Sequence, residues 1–417
     1  TTRVWRDAAE SIDASPETRP LRLLTFSSLY PNCVRPSHGV FVEHRLRQLC
    51  AYAPQLQAKV VAPVPWFPSR HRLFGEYAAY AQVPRNEKRH GVDISHPRFP
   101  VIPKFGMNLT PWLMYRSVRG EVRRLVEDGY DFDLIDAHYF YPDGVAAMYL
   151  AREFDRPFTV TGRGTDLNLI PQQFARPRRM IQQVIAEASQ LITVAAALKG
   201  YLLQLGARDE QVTVLRNGVD LELFRPAQDR GALRKRLGIE GHTLISAGHL
   251  IERKGHHLAI EAMRDLPDWQ LLLVGDGPQE KALRAQVRSL QLEARVSFIG
   301  RVDQEQLRDY YSASDALVLA SSREGWANVL LEAMACGTPV VASPVDGTPE
   351  VVAQPAAGVL MADRSATSVV TALKTLQAAM PQRVDTRAYA EQFDWDATSQ
   401  GQLDIFERAV AGYRARG

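Results

Sequence analysis

Two acids, Glu324 and Glu332, stand eight positions apart in residues 321–343 (SSREGWANVLLEAMACGTPVVAS) and bracket the start of an expected helix. A glycine-containing turn feeding a helix leaves the first backbone N–H groups without intrahelical partners and gathers partial positive charge there, which favours a bound diphosphate. Asn328 or a neighbour is placed to cap that helix. Glu332 falls about one turn inside it, where a carboxylate accepts hydrogen bonds from a vicinal diol such as ribose. Glu324 faces a sugar from the preceding loop. This chemistry suits a sugar nucleotide. The alternative is an ordinary amphipathic helix with two solvated acids, since the pair has no specificity by itself.

Other residues add to that pair. In GHLIERKGHH, His249, Arg253 and Lys254 follow an expected strand, and breaking a glycosyl–phosphate bond calls for a cation against the departing charge. Lys254 is the choice, with His249 assisting as a donor; His256 and His257 adjoin each other without metal-ligand spacing and read as surface or helix-packing residues. Gly39, where a helix begins at about Val40, lets the backbone approach a phosphate, although a plain turn fits too. Arg163 and Asp166 in FTVTGRGTDLN are candidates to contact and to orient the transferred sugar or acceptor; an Arg–Asp pair in a glycine-rich turn is the structural alternative. VGDGPQE carries Glu280 at the third glycine position of a dinucleotide fingerprint, which discounts NAD. Asp131-Phe132-Asp133 resembles an acidic metal-holding pair but precedes a buried strand, and a structural cluster is the better reading.

Positioning these residues takes alternating elements. Short Val/Ile/Leu runs at 21–26, 59–62, 134–137, 158–161 and 191–194 alternate with helical patterns, and a second series runs from 212–215 through 244–247, 271–274, 296–299, 316–319 and 340–343. This implies α/β architecture with two doubly wound parallel sheets and ligands at the carboxyl ends of their strands, in the cleft between them. The expected division is a flexible lead-in at 1–19, a first Rossmann-like domain at 20–212, a second at 213–394, and a long helix at 395–417 crossing back to the first.

Charge is divided unevenly: 27 Lys+Arg against 21 Asp+Glu through residue 212 gives +6, and 23 against 26 after it gives −3. The basic half is the one to meet an anionic partner. Part of its charge is Arg70, Arg72 and Lys104, and part is a helix near 111–126 with Arg116, Arg119, Arg123 and Arg124 beside Trp112, Leu113 and Met114. That helix can rest on an acidic lipid surface or pack on its own sheet. Nucleic acid is disfavoured, because no long basic run carries interleaved aromatics. Three cysteines without CxxC pairing favour a reducing compartment, hence the cytoplasm. No apolar run approaches the length of a membrane span and the first twenty residues show no signal-peptide core, so any membrane association is expected to be peripheral.

Taken in order, the first-strand loop with Gly39, DLIDAHYFYPDG, RGTD, VLRNGVDLELF, GHLIERKG, VGDGP, VSFIGRV and EGWANVLLEAMACGTPVVAS make residues 21–406 resemble the GT-B glycosyltransferases of family 4 (group 1), a retaining, nucleotide-sugar-dependent type. The resemblance implies that the second domain binds a UDP- or GDP-sugar. Lys254 neutralises the diphosphate, Glu332 holds the ribose, and Glu324 with the backbone of Gly325, Trp326, Ala327, Asn328 and Val329 grips the sugar. Val302 lies beside the base and Gly39 touches the diphosphate from the first domain. It also implies retention of configuration, no bound metal and no cofactor beyond the co-substrate. Two departures stand out: His249 replaces the usual Arg, so that either the diphosphate has one fewer permanent cation or Arg253 substitutes, and Arg163 replaces the usual His of the HGxD turn. The RGTD form resembles enzymes of bacterial exopolysaccharide or envelope glycans, with a polyprenyl-diphosphate-linked acceptor as the corresponding partner. A sugar-nucleotide epimerase and a non-catalytic sugar-nucleotide-binding protein are the competing readings.

Overall fold

The computed structural model describes residues 19–36, 38–66, 71, 76–101 and 106–415. The lead-in expected at 1–19 lies outside them apart from Arg19, as do Arg70, Arg72 and Lys104. The first sheet comprises β1 (Arg22–Phe26), β2 (Gln57–Val61), β4 (Asn86–Arg89), β5 (Val92–Ser95), β7 (Leu134–His138), β8 (Phe158–Gly162), β9 (Gln190–Thr193) and β10 (Val212–Val214). Its order is β10-β9-β8-β7-β1-β2-β5-β4, and all neighbours are parallel except the β4–β5 hairpin. A small parallel pair, β3 (Val64–Trp66) with β6 (Arg98–Pro100), stands beside it. The second sheet comprises β11 (His242–Ala247), β12 (Trp269–Val274), β13 (Val296–Gly300), β14 (Ala316–Leu319), β15 (Val340–Ala342) and β16 (Gly358–Leu360), in the order β13-β12-β11-β14-β15-β16.

Each sheet reverses its winding once, between β1 and β7 in the first and between β11 and β14 in the second. In open α/β sheets the loops beyond the strands' carboxyl ends at such a point form the binding crevice. The expected pair of doubly wound domains is therefore present. One strand is corrected: 212–214 was expected to open the second series, but β10 pairs in parallel with β9, Val212 opposite Leu191. Its short Val-Thr-Val run carries no mark of which sheet it joins, and only the pairing decides.

The C-terminal helix Trp395–Arg414 returns to the first domain because its apolar stripe has no other cover. Ile405, Phe406, Ala409 and Val410 are buried in one cluster with Leu46, Leu49 and Ile192. Burial of a side chain such as Phe406 contributes about 1.5–3 kcal/mol. Its far end is tied by Arg414 to Asp133 at 2.7 Å and by the Tyr413 hydroxyl to Asp155 at 2.6 Å.

Candidate active site

Both winding reversals open onto one cleft. The loop after β11 ends in a short turn, Glu252–Lys254, followed by Gly255 at φ +73°, where any Cβ would stand 2.0 Å from the Ala320 carbonyl oxygen. Glycine thus lets the Lys254 turn lie against the loop after β14. There Lys254 Nζ donates to Glu324 Oε1 at 2.7 Å, and Ser321 Oγ donates to the same oxygen at 2.6 Å. Arg253 Nη1 lies 3.5 Å from that oxygen and donates to the Arg323 carbonyl at 2.7 Å. Burial alone would raise the Glu324 carboxyl, but Lys254 and Arg253 outweigh it and hold the group below its ordinary range. Glu324 is therefore ionised.

The helix Asn328–Ala335 starts at the cleft with Ala327 in the cap position and no side-chain cap. Asn328 was expected to supply that cap. Instead its Oδ1 accepts from Asn217 Nδ2 at 3.4 Å across the cleft, so the helix N-terminus keeps its dipole uncapped by a side chain. One turn on, Glu332 Oε2 accepts from the Tyr311 hydroxyl at 3.3 Å, and burial pushes its carboxyl up to about 7.

Two adjoining cavities share His38 and Val329. The first, about 450 Å³, is bounded by Gly39, Arg163 and Asn217 on one side and by Lys254, Glu324 and residues 325–329 on the other. The second, about 670 Å³, is lined by Gly248, His249, Gly275, Val302, Leu307 and Tyr311 among others. The domains touch at the rim of the first: a Cβ on Gly325 would stand 1.8 Å from the Arg163 carbonyl oxygen. Asp346 spans the same seam, accepting from the Glu324 N–H at 3.0 Å, from Asn168 Nδ2 at 3.0 Å and from the Tyr201 hydroxyl at 3.4 Å.

Residues 42–223 match the Glycosyltransferase Family 4 family and residues 229–393 match Glycosyl transferases group 1. The D-inositol 3-phosphate glycosyltransferase of Frankia alni is 33% identical over 68% of this chain and 76% of its own length. This chain belongs to the group 1, family 4 glycosyltransferases. A putative teichuronic acid biosynthesis glycosyltransferase of Bacillus subtilis, TuaC, is 28% identical over 78% of this chain and 82% of its own. Among solved structures, a sucrose-phosphate synthase from Thermosynechococcus elongatus superposes with TM-score 0.77 at 21% identity, covering 94% of this chain and 100% of that one. Anabaena HepE in complex with UDP-glucose superposes with TM-score 0.68 at 23% identity, covering 93% and 99%. Both share the two-domain GT-B fold.

Within this glycosyltransferase, Gly39, Arg163, Arg253, Lys254, Glu324, Gly325, Trp326, Ala327, Asn328 and Val329 line the first cavity, and His249 and Val302 line the second. His249 lines the second cavity and not the one that holds Lys254; its ring nitrogen Nδ1 sits 2.7 Å from the Asp276 carbonyl oxygen. Asp166 is fully buried, and its carboxylate accepts the backbone N–H groups of Phe140, Arg163 and Gly164, so it holds the turn and does not reach a ligand. Glu332 stands one turn behind Val329, which lines both cavities, and its carboxylate meets the hydroxyl of Tyr311, a lining residue of the second. The helix near 111–126 buries Pro111, Met114, Val118 and Val122 and leaves Trp112 half exposed. His256, read as a surface or helix-packing residue, is buried with Nδ1 2.8 Å from Ser246 Oγ. Asp131 and Asp133 are taken by arginines: Arg156 reaches Asp131 at 2.7 Å, and Arg19 and Arg414 reach Asp133 at 2.8 and 2.7 Å. Sequence reasoning treated Asn217 only as part of a turn and missed Asp346 and Tyr311. Their signals were Asn-Gly beyond a strand, an aspartate in the loop after β15, and a tyrosine whose helix packs on the helix that carries Glu332.

Proposed function

We propose that this glycosyltransferase moves a hexose or N-acetylhexosamine from a UDP- or GDP-sugar to a glycan acceptor carried on a lipid diphosphate, with retention of anomeric configuration and without a metal. The carrying observation is the Lys254–Glu324 pair at an uncapped helix start, with a nucleoside-sized cavity on one side and a second cavity reaching the opposite domain on the other. The ammonium has three donors and spends one on Glu324, which leaves two for the departing diphosphate. Glu324 Oε1 is occupied by Lys254 and Ser321, so Oε2 is left for sugar hydroxyls. Glu332 and Tyr311 take the ribose, and Val302 borders the base. Charge developing on the leaving phosphate meets preorganised positive charge from Lys254 and the helix start; a same-face reaction, in which that phosphate oxygen takes the acceptor's proton, needs this more than it needs a protein base. HepE, of the same fold, is solved with UDP and with UDP-glucose, which makes UDP-sugars the first donors to try.

Among the described residues no helix is long and apolar enough to cross a membrane. Half-exposed Trp112, with the Arg116 guanidinium over its ring, and the half-exposed Trp66 and Leu109 of the same domain support peripheral contact with an acidic lipid surface, on the inner face of the plasma membrane. The test is mass spectrometry of reactions pairing UDP- and GDP-sugars with lipid-linked diphosphate acceptors in EDTA, followed by NMR of the new linkage. Release of nucleoside diphosphate with a retained anomeric centre is the expected result. An isomeric sugar nucleotide, an inverted product or strict dependence on manganese overturns the corresponding part.

A further inference from the structure

On the first-domain wall a charge stands without a carboxylate against it. Arg163, at the end of β8, presents Nη2 to His138 Nδ1 at 2.7 Å and Nη1 to Asn217 Oδ1 at 3.5 Å, while its Nε is buried without any hydrogen-bond partner. His138 Nε2 lies 3.0 Å from Asp136 Oδ2. The imidazole therefore gives its one proton to Asp136 and shows a bare lone pair to the guanidinium, which makes it a neutral acceptor. Behind Arg163 lies Arg45, 1% exposed, with Nε on Gln402, Nη1 on Leu215 O and on the same Asn217 Oδ1, and Nη2 without a partner. Two buried guanidiniums thus share one amide oxygen. Among the described residues neither makes a salt bridge; Asp136, and for Arg163 also Asp166, stand near enough to favour the charged form, but these carboxylates are engaged by His138 and by backbone N–H groups. Burial, the larger effect, pushes Arg163 down to about 9 and Arg45 down to about 10. A buried charge paired this weakly is costly, and an arriving anion relieves the cost.

Cations that could meet a donor diphosphate stand on the opposite wall of the same cavity, Arg253, Lys254 and Arg323, with Glu324 the one carboxylate among its lining residues. We propose that Arg163, held from behind by His138 and Asp136, is the recognition point for a second anionic group, a carboxylate or phosphate carried by the transferred sugar or by the acceptor. This rests on the donor-site reading above. An arginine fork suits either group, since both offer two oxygens to parallel N–H donors. Stacking of the guanidinium over Phe41, 5.2 Å from the ring centroid, fixes the plane in which the anion must lie.

Calorimetry with the full chain tests it in two arms. UDP and GDP are titrated first, and the one that binds is used afterwards. One arm compares the nucleotide linked to a uronic acid with the nucleotide linked to the neutral hexose; the other, at saturating nucleotide, compares glucose 1-phosphate and glucuronate with methyl glucoside. In one arm the anionic probe is expected to bind about 10- to 100-fold more tightly than the neutral one. Arg163→Gln removes that preference with circular dichroism unchanged, which reports an intact fold; Arg163→Lys retains part of it. No preference for the anion in either arm, or a preference that survives Arg163→Gln, overturns the proposal. If neither nucleotide binds, the donor-site reading itself has failed and this proposal falls with it.

Discussion

The two walls of the cleft are built differently. The second-domain wall takes its chemistry from two loops at one winding reversal, residues 248–255 after β11 and 320–329 after β14, so its groups lie within short stretches of chain. The first-domain wall assembles Gly39, His138, Arg163 and Asn217 from four separate elements, supported by Arg45 from a helix and Gln402 from the C-terminal helix. A wall of local motifs binds what is common to many reactions. A wall of distant, buried groups is free to differ in what it accepts. In the proposed function the diphosphate and ribose belong to the first kind of recognition, and the sugar acceptor to the second.

The largest expected effect isolates the donor wall. Lys254→Ala removes the cation facing the leaving group and is expected to lower kcat on the order of 10²–10³-fold, with circular dichroism unchanged. Retention of full activity would place the chemistry elsewhere. Next comes the seam between the walls. Gly325→Ala puts a methyl group against the Arg163 carbonyl, where the available gap is 1.8 Å, and must push the domains apart. Misplacement of about 1 Å costs on the order of 10²-fold, read as a lower kcat together with a larger radius in solution scattering. Unchanged scattering and rate would mean that the walls do not need to meet there.

A smaller effect separates the ribose contact by pH. Burial raises Glu332 to about 7, so below that pH it is protonated and loses its capacity to accept from both ribose hydroxyls. Donor affinity is expected to rise as pH climbs through about 7. Glu332→Gln flattens that profile and weakens binding about tenfold. Because the folded-state value lies above the ordinary one, this carboxyl favours the folded state at low pH and loses that contribution as pH rises toward 7, so Glu332→Gln gains relative stability at pH 8. The smallest effect lies far from both walls: Asp131→Ala breaks the ion pairs with Arg156 and Arg19, half exposed at the surface, and costs at most about 1 kcal/mol with transfer unchanged.

The donor wall was legible in the sequence because each contact sits beside a glycine or helix start with a local reason to exist. Glu324, Lys254 and the helix from Asn328 could be named from two short motifs taken together, since the glutamate spacing has no specificity by itself. The side chain of Asn328 could not be placed, because its partner, Asn217, is far away in the chain. The directions of His249 and Asp166 were not legible for a similar reason: proximity to a motif says little about direction, and each turns a polar atom toward backbone groups beside it. The β4–β5 hairpin escaped notice since Asn-Glu-Lys-Arg at a sheet edge carries no apolar alternation. The Arg45–Asn217–Arg163 cluster was invisible, as buried arginines read as surface charge until a fold encloses them.

In the proposed function one cation and two glutamates on the second domain hold the donor. A crystal structure with a bound nucleotide sugar is the decisive measurement. The diphosphate is expected within hydrogen-bonding distance of Lys254 Nζ, the ribose at Glu332 and the base beside Val302. A nucleotide seated on the first domain, or with its phosphates away from Lys254, overturns that assignment.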